Sequence, residues 1–419
     1  MLKRIAPSQA QIGMFIHKLE GSWFSHPFWK SRFLLTDPGQ LARLRHSEVD
    51  GVIIDTEKGR DIDGSLSPVA AEQSTPRKRA RPAWQSTTPA PNTPAAQSFA
   101  PRSLAREFGR AAQVAERGIK VVSRAFFEMR LGKAVKHEDV SPVIEDIFAS
   151  VQRNAHAFNG LMQCKRDAEF VYRHALATSA LMISLGRQLK LPPDDIHEAG
   201  LAGLMLDCGI SLLPVDLADY GGDPRGIPPV LWREHVRYGH DFILGGDFGE
   251  DIARACLEHH ERIDGAGYPS ATPGDRLSDL GRMAAICNAY DELVNDVSGH
   301  GGLDPAAAMA QMLADTGAYD PAMLKAFVCA VGVYPVGSIV LLQSGRFAMV
   351  VDQNAEDPAL PTVRCFHSKT VGRAVAQETI DLAHCFGKDT IAALADPEDL
   401  PAQELHHIRA KLLAAACAA

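Results

Sequence analysis

One short run of the chain is built from side chains that bind metals: His259-His260-Glu261-Arg262-Ile263-Asp264-Gly265-Ala266-Gly267-Tyr268-Pro269. Two adjacent imidazoles closing a helical stretch are good ligands for a divalent ion, because neutral His suits zinc, manganese and iron. In the loop that follows, Gly265 and Gly267 permit backbone conformations that other residues resist. Upstream, His174, Asp207 and His235 each fall on a different predicted helix. A helical bundle can project such residues from facing helices towards one central point. Ions held there by His and Asp would activate water and neutralise a phosphodiester in in-line attack. Each residue also has a plainer reading. A His-His pair alone is about as often an ordinary helix end, a lone His174 is more often a satisfied core histidine, and Asp207 is equally read as a leftover or a helix-end acid. The DGAGYP run after the pair is what tips the balance towards a site.

The elements that must position these residues are mainly helical. Apolar residues recur at helical spacing through Val143, Ile147 and Val151, behind a Ser141-Pro142 pair that reads as a helix start. A helix from about Ala168 carries Phe170, His174, Ala177 and Leu181 on one face and ends before Pro192-Pro193. Further helices are predicted near 194–207, 229–246, 249–262, 275–296, 304–316 and 320–331. Beyond Pro335 the texture changes: 338–342 and 347–351 around Ser344-Gly345 read as a hairpin, with a strand at Thr362–Phe366 and a final Ala/Leu-rich helix.

Between Gly64 and Arg102 the chain is rich in Pro, Ser, Thr and Ala and nearly free of branched aliphatics. It cannot bury enough apolar surface to offset its ordering entropy, so it reads as a disordered linker. Its basic cluster, Arg77, Lys78, Arg79 and Arg81, is read as a solvated charge run. Before it, residues 1–63 form a small α/β unit with a strand at 13–16, an aromatic cluster (Trp23, Phe24, Phe28, Trp29, Phe33), a short helix from Asp37-Pro38 through Leu41 and Leu44, and a buried strand at 49–55. His17 and His26 among those aromatics are read as packing residues. The expected division is therefore 1–63, linker 64–102, a helical domain 103–335, and a β hairpin appendage with a C-terminal helix, 336–419.

Composition bounds the rest. The 419 residues are 46% hydrophobic and 22% charged, with a net charge of −8. These fractions exclude collagen-like and wholly disordered chains, and a mildly acidic balance argues against a nucleic acid polymer as partner. No stretch of about 18 uncharged apolar residues predicts a membrane span, and the N-terminus meets charge too early for a signal peptide. The eight Cys are scattered singly, a pattern that suits free thiols in a reducing cytoplasm. His240-Asp241 and the Gly221-Gly222-Asp223 and Gly245-Gly246-Asp247-Phe248 runs are set aside as a helix-surface pair and two loops.

The run HHERIDGAGYP closely resembles the signature of the HD-GYP family, bacterial metal-dependent phosphodiesterases acting on cyclic di-GMP. EFVYRHALATSALMISLGRQLKL resembles the helix with the family's first His, here His174. AGLAGLMLDCGISLLP resembles the helix of the His-Asp pair, REHVRYGHDFIL the next ligand helix with His235, and GRMAAICNAYDELV the helix of the last ligating Asp. SWFSHPFWKSRFLLTD and the tail VGVYPVGSIVLLQSGRFAMVV fit one branch, in which a small domain commonly precedes HD-GYP. The resemblance implies a mainly α HD-type bundle, with a small α/β N-terminal domain and a short C-terminal β hairpin. It implies metal ligands at His174, Asp207, His235, His259, His260 and Asn288, with Asp207 catalytic, and a GYP loop of Asp264, Gly265, Gly267, Tyr268 and Pro269.

Four positions depart from the family pattern. Leu206 stands where the family has the His of His-Asp, Ser211 where it has Lys, Asn288 where it has Asp, and Val297 where it has the first of two phosphate-gripping basic residues, with His300 at the second. By the resemblance, residues 174, 206, 207 and 288 serve one metal, which keeps two good ligands. The other draws on Asp207, His235, His259 and His260. The expectation is a degenerate member in cyclic di-GMP signalling, a nucleotide-binding or protein-interaction regulator with weak or absent phosphodiesterase activity. It would hold Fe, Mn or another divalent metal at one site rather than two, or none, with cyclic di-GMP and a diguanylate cyclase-type or other signalling protein as partners. The alternatives are an active phosphodiesterase yielding pGpG or GMP, and a scaffold.

Overall fold

A computed structural model describes residues 2–20, 33–36, 38–45, 51–60, 103–164, 170–215, 217–220, 226–295, 302–354, 357–385, 389–396, 399 and 405–418. The expected linker, Trp23, Phe24, His26, Phe28, Trp29, the Gly221-Gly222-Asp223 run, Val297 and His300 lie outside these residues. The chain divides into two compact units, Met1–Gln97 and Ser98–Ala419.

In the first unit, β1 (Leu2–Ile5), β2 (Phe15–Glu20), β3 (Phe33–Leu34), α1 (Pro38–Arg45) and β4 (Gly51–Asp55) make a four-stranded antiparallel sheet ordered β1-β4-β2-β3, with one helix. Alternation along the strands sends Ile5, Ile16, Val52 and Ile54 to one face, where they pack with Met14, Leu35 and Leu44.

The second unit is a bundle of α2 (Leu104–Arg130), α3 (His137–Arg153), α4 (Ala157–Cys164), α5 (Phe170–Gln188), α6 (Pro193–Met205), α7 (Pro229–Trp232), α8 (His235–Leu244), α9 (Glu250–Glu258), α10 (Asp279–Asn295), α11 (Pro305–Ala314) and α12 (Pro321–Val331). Helix α5 is buried on every side from Ala175 to Gly186, its few hydroxyl residues included, so it is the central helix on which the others pack. The Thr178 hydroxyl of α5 donates to the Gly203 carbonyl of α6 at 2.7 Å, which holds these two helices close. Glu107 of α2 is clamped by Arg153 of α3, with Nε–Oε2 and Nη2–Oε1 both at 2.7 Å, and accepts from Ser150 Oγ at 3.0 Å; all three residues are buried.

Several helix limits differ from the sequence expectation, among them the end of α9, at Glu258 rather than 262, and the start of α10, at Asp279 rather than 275. Helix α3 begins at His137, not at Ser141-Pro142, and Pro142 lies inside it. The start is set by Asp139 Oδ2, which accepts from the Lys136 N–H at 2.9 Å, and by Asp247 Oδ1, which accepts from the His137 N–H at 3.0 Å. The second contact comes from a distant turn, so no local signal announces it. The helix expected over 229–246 is broken at Arg233-Glu234 into α7 and α8.

The expected hairpin is the middle of a larger sheet. Strands β5 (Ile339–Leu342), β6 (Arg346–Asp352), β7 (Thr362–Ser368), β8 (Arg373–Asp381) and β9 (Ile391–Leu394) pair antiparallel in the order β8-β7-β6-β5-β9. Leu412 and Leu413 of α13 (Leu405–Ala418) pack against Leu104, Val336, Phe347 and Met349, tying sheet to bundle. Among the described residues no helix is long and apolar enough to cross a membrane.

On α6, burial, with Asp251 and Asp195 nearby, pushes the Glu198 carboxyl up from 4.5 to about 7. The native state then holds its proton more tightly than the unfolded chain. No penalty exists below about pH 4.5; it grows as pH rises and is complete above pH 7. Glu198→Gln is therefore expected to raise stability by about 1–2 kcal/mol at pH 8, after discounting for partial solvent exposure, and to change little at pH 4.5. Urea unfolding at the two pH values checks this; an equal effect at both would assign the gain to something other than ionisation.

Candidate metal centre

The start of α5, the end of α6, the starts of α8 and the post-α9 loop, and the middle of α10 meet at one point. Asp207 follows α6 at the head of a 3-10 turn, Cys208–Leu212. Gly209 in that turn lies so close to α8 that a β-carbon on it would come within 1.9 Å of the His235 carbonyl oxygen, so only glycine brings Asp207 and His235 together. His259 sits at the C-cap of α9, one residue beyond its last turn. Asp207, His235, His259 and His260 each offer a ligand atom, all within 4.8 Å of one another.

The protonation pattern suits a cation. His235 Nδ1 is 2.6 Å from the Trp232 carbonyl and His259 Nδ1 is 2.7 Å from the Cys256 carbonyl. A carbonyl can only accept, so both Nδ1 atoms carry the hydrogen, and in the neutral imidazole each Nε2 then carries the lone pair. Those two lone-pair nitrogens face each other at 3.3 Å, with Asp207 Oδ1 at 3.2 Å from the first and 3.5 Å from the second. Such a convergence of acceptors is repulsive by itself and is reconciled by a shared positive ion. His260 Nε2 is buried without a hydrogen-bond partner. Burial holds the His259 imidazole below its ordinary value; burial and then the neighbouring His259 hold His260 well below it. Neutral imidazoles are the ligand form, so this donor set fits a divalent metal.

His174 is arranged differently. Its Nδ1 lies 2.7 Å from Asp291 Oδ2, and its Nε2 lies 2.8 Å from Asn288 Oδ1 and 3.1 Å from Asp207 Oδ2. Burial opposes its charge, yet the hydrogen bonds to Asp207 and Asp291 hold it well above its ordinary value. Burial would likewise raise Asp207, but the hydrogen bond from His174 holds it well below the usual carboxylate range. Both ring nitrogens of His174 are thus engaged by oxygen acceptors. Leu206, its neighbour in the expected set, is a buried core side chain. Ser211 donates to the Cys208 carbonyl at 2.6 Å, inside its own turn.

The GYP loop forms the outer wall. Glu261, buried, accepts from the Ser270 and Thr272 N–H groups at 2.7 and 3.1 Å, folding the loop back on its start. A β-carbon at Gly267 would sit 2.5 Å from the Glu261 Cα, so the fold-back requires glycine there. Gly265 is in the left-handed region, φ 75°, and the Tyr268–Pro269 peptide is cis. Asp264 faces away from the centre: Arg262 pairs with it and with Asp315, and the Arg262 hydrogen bond lowers its carboxyl to about 2. Tyr268 stacks on His260 with ring centroids 4.5 Å apart, and the Arg233 guanidinium lies 4.9 Å above the Tyr268 ring. The side chains of His240 and Asp241 pair with one another on α8, 2.9 Å apart.

Sequence reasoning missed Asp291, Glu292, Glu261 and Arg233. The available signal was on α10, where Asn288, Asp291 and Glu292 stand at i, i+3 and i+4 and so share a face.

Fold and site together define an HD-domain protein. Residues 154–323 match the HD domain family, and residues 2–140 match a domain of unknown function, DUF3391. The chain is 36% identical over 402 residues to the cyclic di-GMP phosphodiesterase PA4108 of Pseudomonas aeruginosa, covering 95% of this chain and 93% of that one. It is 20% identical over 200 residues to the cyclic di-GMP phosphodiesterase PdeB of Borreliella burgdorferi, covering 48% of this chain and 53% of that one. A solved HD-GYP-type structure, Bd1817 of Bdellovibrio bacteriovorus, aligns at TM-score 0.44 and 16% identity, covering 78% of this chain and 98% of that one. The chain belongs to the HD-GYP family, in the group that carries the DUF3391 domain.

Proposed function

We propose that this chain holds one divalent metal through Asp207, His235, His259 and His260, and acts in cyclic di-GMP signalling as a nucleotide-binding or protein-interaction regulator with weak or absent phosphodiesterase activity. The observation that carries this reading is the asymmetry of the site. Three imidazoles and a carboxylate converge on one side; on the other, both nitrogens of His174 are engaged and Leu206 is packed into the core. A divalent ion supplies Lewis-acid polarisation of a phosphoryl oxygen. The chain's own residues supply the rest: Trp232 and Cys256 carbonyls orient His235 and His259, Tyr268 seats His260, and Arg233 brings one positive charge to the rim. In-line hydrolysis with two ions needs both to flank the reacting oxygens, and among the described residues one His and carboxylate cluster brings its ligand atoms within 4.8 Å of one another.

The test is to purify the full chain with Mn2+ or Fe2+ supplied, measure bound metal, and follow cyclic di-GMP turnover. We expect one metal per chain and little turnover, with nucleotide binding detected by calorimetry. The double variant Leu206→His/Asn288→Asp is expected to raise metal content and turnover together; no rise in metal would mean that these positions are not ligand positions. The second reading, an active phosphodiesterase, is favoured by the 36% identity to PA4108 across nearly the whole chain. Turnover by the unmodified chain that disappears in His259→Ala would establish it.

A further inference from the structure

Helix α10 carries a carboxylate that the ligand set above leaves out. Glu292 lies one turn beyond Asn288 on the same face, hydrogen-bonded to the Asn288 side chain. Its Oε1 is 4.0 Å from His260 Nε2, the buried nitrogen with no hydrogen-bond partner. That spacing is too long for a hydrogen bond. It falls within the range for two ligands of one ion: bonds of about 2.0–2.2 Å place donor atoms about 3 Å apart at a right angle and about 4.2 Å apart when opposed. Charge points the same way. Asp207 and three neutral imidazoles offer a dication one negative charge, and Asn288 adds none.

We propose that Glu292 is a ligand of the metal centre, holding the ion with His260 and supplying from α10 the negative charge that Asn288 does not carry. This rests on reading Asp207, His235, His259 and His260 as a metal site. It explains why a half-buried carboxylate is kept beside four potential ligands with no cationic side chain within ion-pair distance among the described residues other than His260. The competing role is structural, with Glu292 serving only as acceptor for Asn288.

The two roles separate in metal-binding measurements that need no turnover. The full chain, stripped of metal, is titrated with Mn2+ by calorimetry and with Co2+ by visible absorption, as wild type, Glu292→Gln, Glu292→Asp and His259→Ala. Gln keeps the size and the acceptor for Asn288 and removes the charge. Glu292→Gln is expected to bind Mn2+ at least about tenfold more weakly and to alter the Co2+ band, since even outer-shell partners of metal ligands cost about 10–100-fold. Glu292→Asp is expected to bind more tightly than Glu292→Gln. Wild-type affinity and an unchanged Co2+ band in Glu292→Gln, or equal weakening in both variants, overturns the role of Glu292; His259-dependent uptake by the wild type in the same titration leaves the centre itself standing. Uptake of neither ion by the wild type overturns both.

Discussion

In His259→Ala, bound Mn2+ is expected to fall to background while the helical unit stays folded. His259 Nε2 lies 3.3 Å from His235 Nε2 and 3.5 Å from Asp207 Oδ1, so it shares one close triangle of donor atoms with them. Loss of an outer-shell partner costs about 10–100-fold in metal affinity, and a direct ligand costs at least that much. The fold is spared because the change falls at the C-cap of α9. There it removes an imidazole whose lone pair faces another, which offsets part of the cavity left behind. Elemental analysis of the purified variant reads the loss directly. Thermal melts with and without Mn2+ give a second reading, because an ion that binds only the native state raises the melting temperature. That shift should be present in wild type and absent in His259→Ala. Undiminished uptake would move the metal to another place in the chain.

Arg153→Met is expected to lower the unfolding free energy by about 3–5 kcal/mol, the usual result of leaving a buried charge without its partner. Arg153 meets both oxygens of Glu107, and only Ser150 Oγ would remain to hold that carboxylate. The pair joins α2 to α3, and neither residue is among the candidate metal ligands. The double variant Glu107→Leu/Arg153→Met is expected to recover most of the loss, because two apolar side chains of similar size need no partner. Chemical denaturation of the three variants gives the comparison. A loss below about 1 kcal/mol for Arg153→Met alone would mean that water reaches Glu107.

The residues of the centre differ in how far a sequence can announce them. His259 and His260 are adjacent and followed by a Gly-rich loop, so spacing alone marks them. His174, Asp207 and His235 were legible through the helices that carry them. The β region was legible only in part. Its central hairpin has a tight Ser-Gly turn between two continuous apolar runs, whereas β8 is mostly exposed and carries no apolar run to mark it. The start of α3 went unread because Asp247, a hundred residues away in the chain, caps it.

Residue type and local order in the sequence determined the ligand candidates, the GYP loop and a mainly helical fold, since these depend on periodicity and on neighbours in the chain. Tertiary structure alone decided which candidates come within reach of one another. His174 and Asn288 are separated by 114 positions, and their contact at 2.8 Å is what engages His174 Nε2. Glu292 shares a helix face with Asn288 in the sequence pattern, but only the packing of α10 against the post-α9 loop sets it 4.0 Å from His260. The physical reason is that a ligand is defined by distance and by the direction of a lone pair. Both are set by helix packing and by the backbone carbonyls that lock His235 and His259, and neither leaves a mark on residue type.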